Sequence, residues 1–348
     1  MVRVTGNFTS ETQLHHAARA ALLEAFDQGW ADPKKLSQSS SRAAILRNQA
    51  IENIASRLGV PAGSIEILGE PSLGHFLGIS GLLRKDDTFT YSAIDKGKIR
   101  AVARAHPGLS TELSVDSLGQ ILLPGNPPED SVISLQLANG ETGVIQSLEN
   151  FIDSKNLISV DATSSGPRVQ LPPRWDTALF DSQSWMGPSG LGILAISNSA
   201  KFQYPLPHIA PIKSPGSYSL PLLLASSVAL ENFLPEDSSI RDYAIKTLAT
   251  IANSQIVALD SPALPHIFSM TISGVAGENV VRRLAELGFS VDSGSACSPE
   301  DLQPSHVLAV MGYETTGHLR FTLHSGTSQD HIDALSNAIS QVVSELRS

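Results

Sequence analysis

The only cysteine of the chain, Cys297, is the residue best suited to nucleophilic chemistry. It lies in the run VDSGSACSPED (291–301), in which Gly, Ser and Ala precede the thiol and Pro299 suits the first turn of a following helix. A thiol acts as a nucleophile only where it reaches a substrate and loses its proton, and a Gly/Ser loop permits that reach. The alternative is an inert buried cysteine that acts only as a small apolar residue.

A second candidate group is the carboxylate of Asp161. The apolar run 157–163 predicts a buried strand of a parallel sheet, with Asp161 toward its carboxyl end. Open α/β sheets bind ligands at the carboxyl ends of their strands. We therefore expect Asp161 to face a ligand site.

Three runs carry a resemblance to a known family: SGSACSPEDLQPSHVLAVMG (293–312), HLRFTLHSGTSQDHID (318–333) and ANGETGVIQ (138–146). They resemble the cysteine desulfurases, which are pyridoxal-phosphate (PLP) enzymes of fold type I in the class V aminotransferase group. The resemblance extends over nearly the whole chain. It implies that Cys297 takes sulfur from substrate cysteine as a persulfide, in the context of iron–sulfur cluster assembly. It also implies that Arg320 binds the substrate carboxylate, for which guanidinium offers a fixed fork of donors.

The same resemblance implies a damaged cofactor site. Asp161 matches the carboxylate that pairs with the pyridine nitrogen of PLP and makes the ring an electron sink. The position of the lysine that forms the Schiff base is Ser184, and a hydroxyl forms no imine. Neither Lys201 nor Lys213 is expected to replace that lysine. Four further cofactor contacts of the family are replaced, by Gly140, Ser164, Asp181 and Gln183.

Two more positions bear on the cofactor. Ser72 is the candidate phosphate contact in the turn 69–75, although Glu70 brings a negative charge and Pro71 removes a backbone donor there. Lys96 stands where the family has a histidine that stacks on the ring. We interpret Lys96 as a solvated lysine near the start of a helix.

The leading hypothesis is a cysteine desulfurase-like protein in which PLP catalysis is lost, so that no cofactor is expected unless the family function is retained. It would act as a binding or regulatory protein or as a sulfur carrier, in a homodimer or in a heterodimer with an active homologue, with a sulfur-acceptor protein as a possible partner. One alternative is an active PLP-dependent enzyme that holds its cofactor non-covalently. Another is a decaying paralogue, against which the intact core pattern speaks.

Composition narrows the partners and the compartment. A net charge of −10 and a sequence pI near 5.4 argue against nucleic acid as a partner. A single cysteine excludes an internal disulfide and fits the reducing cytoplasm. The sequence shows no apolar run of membrane-spanning length and no signal pattern at its start, and we predict no metal site.

The length of 348 residues and the order of elements predict an α/β protein of two domains. A large three-layer domain with a mainly parallel sheet is expected over 14–234. A smaller α+β domain that carries the Cys297 loop is expected over 1–13 and 235–348. Apolar periodicity predicts these helices and strands: helices at 13–28, 42–58, 219–233, 238–253, 277–287 and from 328, and strands at 65–68, 88–92, 120–123, 132–137, 157–163, 191–196, 267–273 and 318–323.

Overall fold

The computed structural model describes residues 6–27, 31–123, 131–152, 155–208, 218–294 and 304–348. These residues form ten α-helices and twelve strands. The helices are α1 (His16–Asp27), α2 (Gln38–Leu58), α3 (Leu73–Ser80), α4 (Gly97–Ala105), α5 (Glu149–Ile152), α6 (Leu220–Glu231), α7 (Ser238–Leu248), α8 (Gly277–Glu286), α9 (His306–Val310) and α10 (Gln329–Arg347). The strands are β1 (Gly6–Phe8), β2 (Ile65–Leu68), β3 (Thr88–Ser92), β4 (Ser110–Leu113), β5 (Ser131–Gln136), β6 (Leu157–Asp161), β7 (Thr177–Asp181), β8 (Gly192–Ile196), β9 (Ser254–Ile256), β10 (Ile267–Ile272), β11 (Phe289–Val291) and β12 (His318–Thr322).

A seven-stranded sheet of order β2-β8-β7-β6-β5-β3-β4 forms the centre of the fold. Neighbouring strands from β4 to β7 are parallel, and β8 runs antiparallel to both β7 and β2. Every residue of β5 is buried, as expected for a parallel strand covered on both faces. The sheet confirms the predicted α/β class with a mainly parallel sheet.

Helices cover this sheet on its two faces. Successive residues of a strand point to opposite faces, and in β5 Ile133 packs in the cluster with α2 and α6 whereas Val132 packs in the cluster with α3 and α4. The result is the predicted arrangement of three layers. Because the parallel strands end at one edge, that edge gathers the residues that follow them.

The C-terminal half builds a second apolar core around smaller sheets. Strands β12, β10 and β9 form an antiparallel sheet, and β1 pairs in parallel with β11. Phe268, Leu319 and Ile339 belong to the buried cluster that these strands share with α7, α8 and α10. The division into domains at 234–235 stays a prediction.

Several predicted elements need correction. The strand expected at 120–123 is wrong, because only an isolated bridge joins Val115 to Ile121. The helix expected to reach 253 ends at Leu248 and is followed by β9. Helix α2 begins earlier than predicted because the Ser37 side chain accepts a hydrogen bond from the Ser40 amide at 3.1 Å. Five short strands have no counterpart among the predicted ones, namely β1, β4, β7, β9 and β11. The helix start expected at Pro299 lies outside the described residues.

Two features bear on the environment of the fold. None of the helices that the structure describes combines the length and the apolar character needed to cross a membrane. The described ranges also contain no group of three or more His, Cys, Asp and Glu side chains placed to hold a metal ion.

A tight turn after β5 connects the large sheet to β10. Asn139 Oδ1 accepts hydrogen bonds from the amides of Glu141 (2.9 Å) and Thr142 (3.0 Å). Gly143 has φ of 76°, and a Cβ on it would lie 2.4 Å from the carbonyl oxygen of Ile267. Only glycine therefore meets both the backbone conformation and the close approach of β10.

We expect Gly143→Ala to lower the free energy of unfolding by about 3 kcal/mol, since a left-handed residue and a backbone clash add up. Gly59→Ala is the matched control, because Gly59 has φ of 69° but no atom within 4 Å of an added Cβ. That control should lose only about 1 kcal/mol. Urea unfolding monitored by circular dichroism measures both values, and equal losses would refute the role of the contact with Ile267.

Candidate functional site

A cavity of about 350 Å³ opens where the carboxyl ends of the parallel strands face β12. Six residues predicted from the sequence line it together: Gly140, Ser164, Asp181, Gln183, Ser184 and Arg320. Asp161 lies directly behind two further lining residues, Lys96 and Thr163. Ser72 does not line the cavity. Cys297 lies outside the described residues, so its role stays a prediction.

The Asp161 carboxylate at the end of β6 is almost fully buried, at 5% exposure. Oδ1 accepts hydrogen bonds from the Thr163 amide (2.9 Å) and from Thr163 Oγ1 (2.5 Å). Oδ2 lies 3.2 Å from His75 Nε2 and 3.3 Å from Lys96 Nζ. A carboxylate has about four acceptor positions; three hydrogen bonds, from His75 and Thr163, are made here, and the Lys96 ammonium forms an ion pair beside Oδ2.

These partners decide the charge of Asp161. Burial alone would raise its pKa, but Lys96, His75 and the hydroxyl of Thr163 outweigh burial and hold the pKa well below its ordinary value. Asp161 is therefore ionised. Because an ionised carboxylate only accepts hydrogen bonds, His75 donates its Nε2 proton to it.

Lys96 caps the start of α4, as predicted, but the interpretation of its side chain as solvated is wrong. Its side chain is 32% exposed and points along the cavity wall, where Nζ pairs with Asp161 and donates a hydrogen bond to Thr163 Oγ1. A general rule would have identified it. Lys96 follows β3 as Asp161 ends β6, and the carboxyl ends of parallel strands share one edge.

Gly140 and Ser164, two positions that the resemblance implies are replaced cofactor contacts, lie against each other beside Lys96. A Cβ on Gly140 would lie 2.7 Å from Ser164 Oγ and 4.0 Å from Lys96 Cε. A side chain at 140 would therefore displace Ser164, and it would stand at ordinary contact distance from the lysine. The glycine thus leaves room for Ser164 at this end of the cavity.

Ser184 lies in a short 3₁₀ turn, Ser182–Trp185, that follows β7. Its Oγ donates to the Asp181 carbonyl at 2.7 Å, and its own carbonyl accepts a hydrogen bond from Arg168 Nη1 at 2.5 Å. The amide of Gln183 donates to Asp181 Oδ1 at 3.0 Å. Burial raises the pKa of Asp181. The turn is thus held by hydrogen bonds within it and from Arg168.

The turn before α3 is also occupied by the chain itself. Glu70 Oε1 accepts hydrogen bonds from the Ser72 amide at 2.9 Å and from the Ser72 hydroxyl. These bonds lower the pKa of Glu70, so its carboxylate is ionised at the N-terminus of α3. A carboxylate is favoured there by the helix dipole.

The opposite wall, formed by the C-terminal half, has unsatisfied groups. Arg320 is 7% exposed, with Nη2 3.4 Å from Asp292 Oδ2 and with no partner for Nε. His266 is 6% exposed, and its Nδ1 has no partner. Burial and the nearby Arg168 lower the pKa of His266 well below its ordinary value, so this ring is neutral.

Arg168 joins the two walls and was not identified from the sequence. Its Nε and Nη2 donate to the two carboxylate oxygens of Glu236 at 2.7 and 2.5 Å. The guanidinium carbon lies 4.7 Å from the ring centre of Phe233. His75, His266 and Glu236 were likewise missed, since no local motif marks them and only the fold brings them to the cavity.

The flanks of the Cys297 loop are anchored beside the cavity. Ser293 Oγ donates to the His318 carbonyl at 2.7 Å, and Ser305 Oγ donates to Glu141 Oε2 at 2.5 Å. Ser305 also caps α9, since its Oγ accepts from the Leu308 amide at 3.1 Å. Both ends of the loop are therefore tied to residues near the site.

Comparison with known proteins places this geometry in context. Residues 215–335 match the class V aminotransferase family model. Cysteine desulfurase IscS 1 of Archaeoglobus fulgidus is 28% identical over 239 residues, which span 63% of this chain and 63% of that protein, somewhat less than two thirds of either. Cysteine desulfurase 2 of Trichormus variabilis is 24% identical over 367 residues, covering 97% of this chain and 92% of that protein.

Solved structures share the fold. A NifS-like protein superposes with a TM-score of 0.87 at 19% identity, covering 98% of this chain and 100% of that chain. The NifS-like protein of Rickettsia africae gives a TM-score of 0.82 at 19% identity, covering 97% and 99%. In sequence this chain is therefore similar to cysteine desulfurases and, over 215–335, to the class V aminotransferase family, and it shares the fold of NifS-like proteins.

Proposed function

We propose that this protein does not catalyse PLP-dependent sulfur transfer and that it acts in the cytoplasm as a binding or regulatory subunit. The observation that carries the proposal is the contact of Lys96 with Asp161, at 3.3 Å. This contact places a protein cation on the carboxylate that the family resemblance assigns to the pyridine nitrogen.

The residues present do not fit PLP at its ring nitrogen. A protonated pyridine needs an acceptor position on Asp161 and the space in front of it; His75 and Thr163 already donate three hydrogen bonds to this carboxylate, and the Lys96 ammonium lies 3.3 Å from Oδ2. A ring could bind there only if Lys96 moved away. The Lys96 ammonium would then lose its ion pair with the buried Asp161 carboxylate and its hydrogen bond to the Thr163 hydroxyl, and breaking a buried ion pair costs free energy.

No described lysine suits the imine either. Ser184 has no amine, and its hydroxyl is bonded to the Asp181 carbonyl. Among the described lysines only Lys96 lines the cavity. The nitrogen and the aldehyde-bearing carbon lie at opposite ends of a pyridine ring, so an amine held on the partner of the nitrogen does not reach the aldehyde. The phosphate of PLP also lacks a suitable site, because the carboxyl group of Asp181 lines the cavity and the Glu70 carboxylate already lies at the N-terminus of α3.

A binding role is supported by the opposite wall. The cavity persists, and Arg320 Nε and His266 Nδ1 are buried without partners. Buried polar groups are nearly always hydrogen-bonded in native proteins. A small polar ligand with a carboxylate would give Arg320 a partner, and guanidinium binds carboxylates well.

The sulfur-carrier version of the proposal concerns Cys297. In this version the Cys297 thiolate attacks the outer sulfur of a donor persulfide, and the donor leaves as a thiolate. The persulfide on Cys297 then passes its outer sulfur to an acceptor thiolate in the same way. No cofactor is required for either exchange. The flanking residues Ser293 and Ser305 are hydrogen-bonded to His318 and Glu141, which keeps both described ends of this segment near the site.

We expect the purified protein to lose its visible absorbance when added PLP is removed by desalting, and to release no sulfide from L-cysteine. Ser184→Lys should behave in the same way, because the restored amine leaves Lys96 on Asp161. A retained visible band that L-cysteine shifts, together with sulfide release by the wild type, would overturn the proposal in favour of an active enzyme with an unusual cofactor anchor.

We expect Cys297→Ala to abolish transfer of labelled sulfur from a small persulfide to an acceptor thiol, if the protein is a sulfur carrier. Cys297→Ser is the matched control, since it keeps the size of the side chain and removes the thiol. Trapping with a maleimide after incubation counts persulfide on each variant. Equal transfer by the wild type and both variants would reject the carrier role and leave the binding role.

The proposed dimer, with a second copy or with an active homologue, uses the helices that pack on α6. Helices α1 and α2 both pack there, and they expose Phe26 at 59% and Ile45 at 58%. We expect Phe26→Asp and Ile45→Asp each to weaken dimerisation tenfold or more, equivalent to about 1.4 kcal/mol. Leu259→Asp, at an equally exposed leucine after β9, is the control. Analytical ultracentrifugation measures the constants, and a monomeric wild type contradicts the homodimer.

A further inference from the structure

We propose that Lys96 is a cation of the chain itself that fills the inner end of the cavity beside Asp161, and that removal of its side chain opens this position to a small protonated amine from solution. The inference rests on the proposed function and deepens it, because it names the group that makes the folded site complete without a ligand. Its chemistry is that of a cation site at Asp161, which this chain occupies with its own side chain.

The contacts of Asp161 carry the first step of the argument. Its carboxylate is 5% exposed, and the groups that face it are Lys96 after β3, His75 on α3 and the backbone and hydroxyl of Thr163. A buried charge that loses its partner is strongly destabilising. Lys96 therefore contributes to folding through its charge as well as through its packing.

Other acidic groups near Lys96 strengthen this dependence. Asp95 is fully buried beneath Lys96, with hydrogen bonds from the Ser92 amide and Gln136, and burial raises its pKa to about 7. Asp181 lines the same cavity, and burial raises its pKa. Lys96 acts against burial on both groups, as it does on Asp161. The ammonium thus favours the ionised form of all three carboxyl groups, and its recorded contact is with Asp161.

The second step of the argument concerns the volume that the Lys96 side chain fills in the cavity. The alkyl chain of Lys96 lines the cavity and reaches Asp161 past Gly140, where a Cβ would lie 4.0 Å from Lys96 Cε. Shortening residue 96 to alanine therefore extends the cavity to the carboxylate of Asp161. A methionine at the same position keeps most of the volume and removes the charge, so the two variants separate charge from space.

The first experiment measures Tm against pH for the wild type, Lys96→Met, Lys96→Arg and the exposed control Lys98→Met. In the wild type the depressed pKa of Asp161 means that its stabilisation is present throughout the range above about pH 4, the ordinary pKa of an aspartate, and is lost only below it. In Lys96→Met the carboxyl groups lose their cation, their pKa values rise, and protonation on acidification relieves the penalty. We expect Lys96→Met to melt lower by about 5 °C or more near pH 7, with a gap that narrows toward pH 4. Lys96→Arg and Lys98→Met should follow the wild type.

The second experiment tests the opened cation position. We expect propylammonium chloride to raise the Tm of Lys96→Ala above the value in an equal concentration of sodium chloride. It should not do so for the wild type, for Lys96→Met or for Lys98→Ala. Pyridoxine, which carries neither an aldehyde nor a phosphate, should likewise bind to Lys96→Ala and not to the wild type in calorimetric titration.

A double variant tests whether Asp161 is the partner of Lys96. It also distinguishes the loss of this charge pair from a general failure to fold. Asp161→Asn removes the buried charge, so its combination with Lys96→Met should melt higher than Lys96→Met alone at pH 7. The inference would be overturned by a Tm difference between the wild type and Lys96→Met that does not change with pH. It would also be overturned if neither propylammonium nor pyridoxine bound to Lys96→Ala, even if the wild type binds no PLP. Retention of PLP by the wild type would instead reject the proposed function.

Discussion

The ionised carboxylate of Asp161, buried at the edge of the central sheet, is the constraint on which the site depends. Taking such a charge out of water costs several kcal/mol unless partners surround it. The fold supplies them from three places: His75 on α3, Thr163 after β6 and Lys96 after β3. Each of these positions exists only because the parallel strands end at the same edge and α3 packs over them.

The strand order explains why Lys96 must extend. Strand β5 lies between β3 and β6, and strands are about 4.8 Å apart, so the lysine bridges roughly 10 Å between the two chain segments. The segment in between is the turn after β5, in which Gly140 has no side chain. Lys96, Gly140 and Ser164 thus form one packing arrangement.

Periodicity was sufficient to predict the long elements and the class of fold, because β5, β6 and the amphipathic α10 have apolar patterns that only one structure satisfies. It was insufficient for β4 and β9, since three or four residues at a sheet edge carry little pattern. The cavity residues next to motifs, such as Ser184 and Gly140, were found from the resemblance. Lys96 was misinterpreted because its partners Asp161 and Thr163 are distant in sequence, and the charge of a lysine says nothing about which carboxylate it meets.

The internal charge pairs also change what binding can do for this protein. A ligand stabilises a fold in proportion to its preference for the folded state, and a site with an unbalanced buried carboxylate gains much from a cationic ligand. With Lys96 on Asp161 and Glu70 at the α3 N-terminus, both ends of the sheet-side wall are already neutralised by the chain. Among the buried groups without a partner, Arg320 Nε and His266 Nδ1 belong to residues that line the cavity on the other wall, whereas His75 Nδ1 belongs to a ring on the sheet side that does not line it. Selection on ligand affinity in this protein would therefore act through the wall formed by β12 and the residues around β10, where unsatisfied side chains face the cavity.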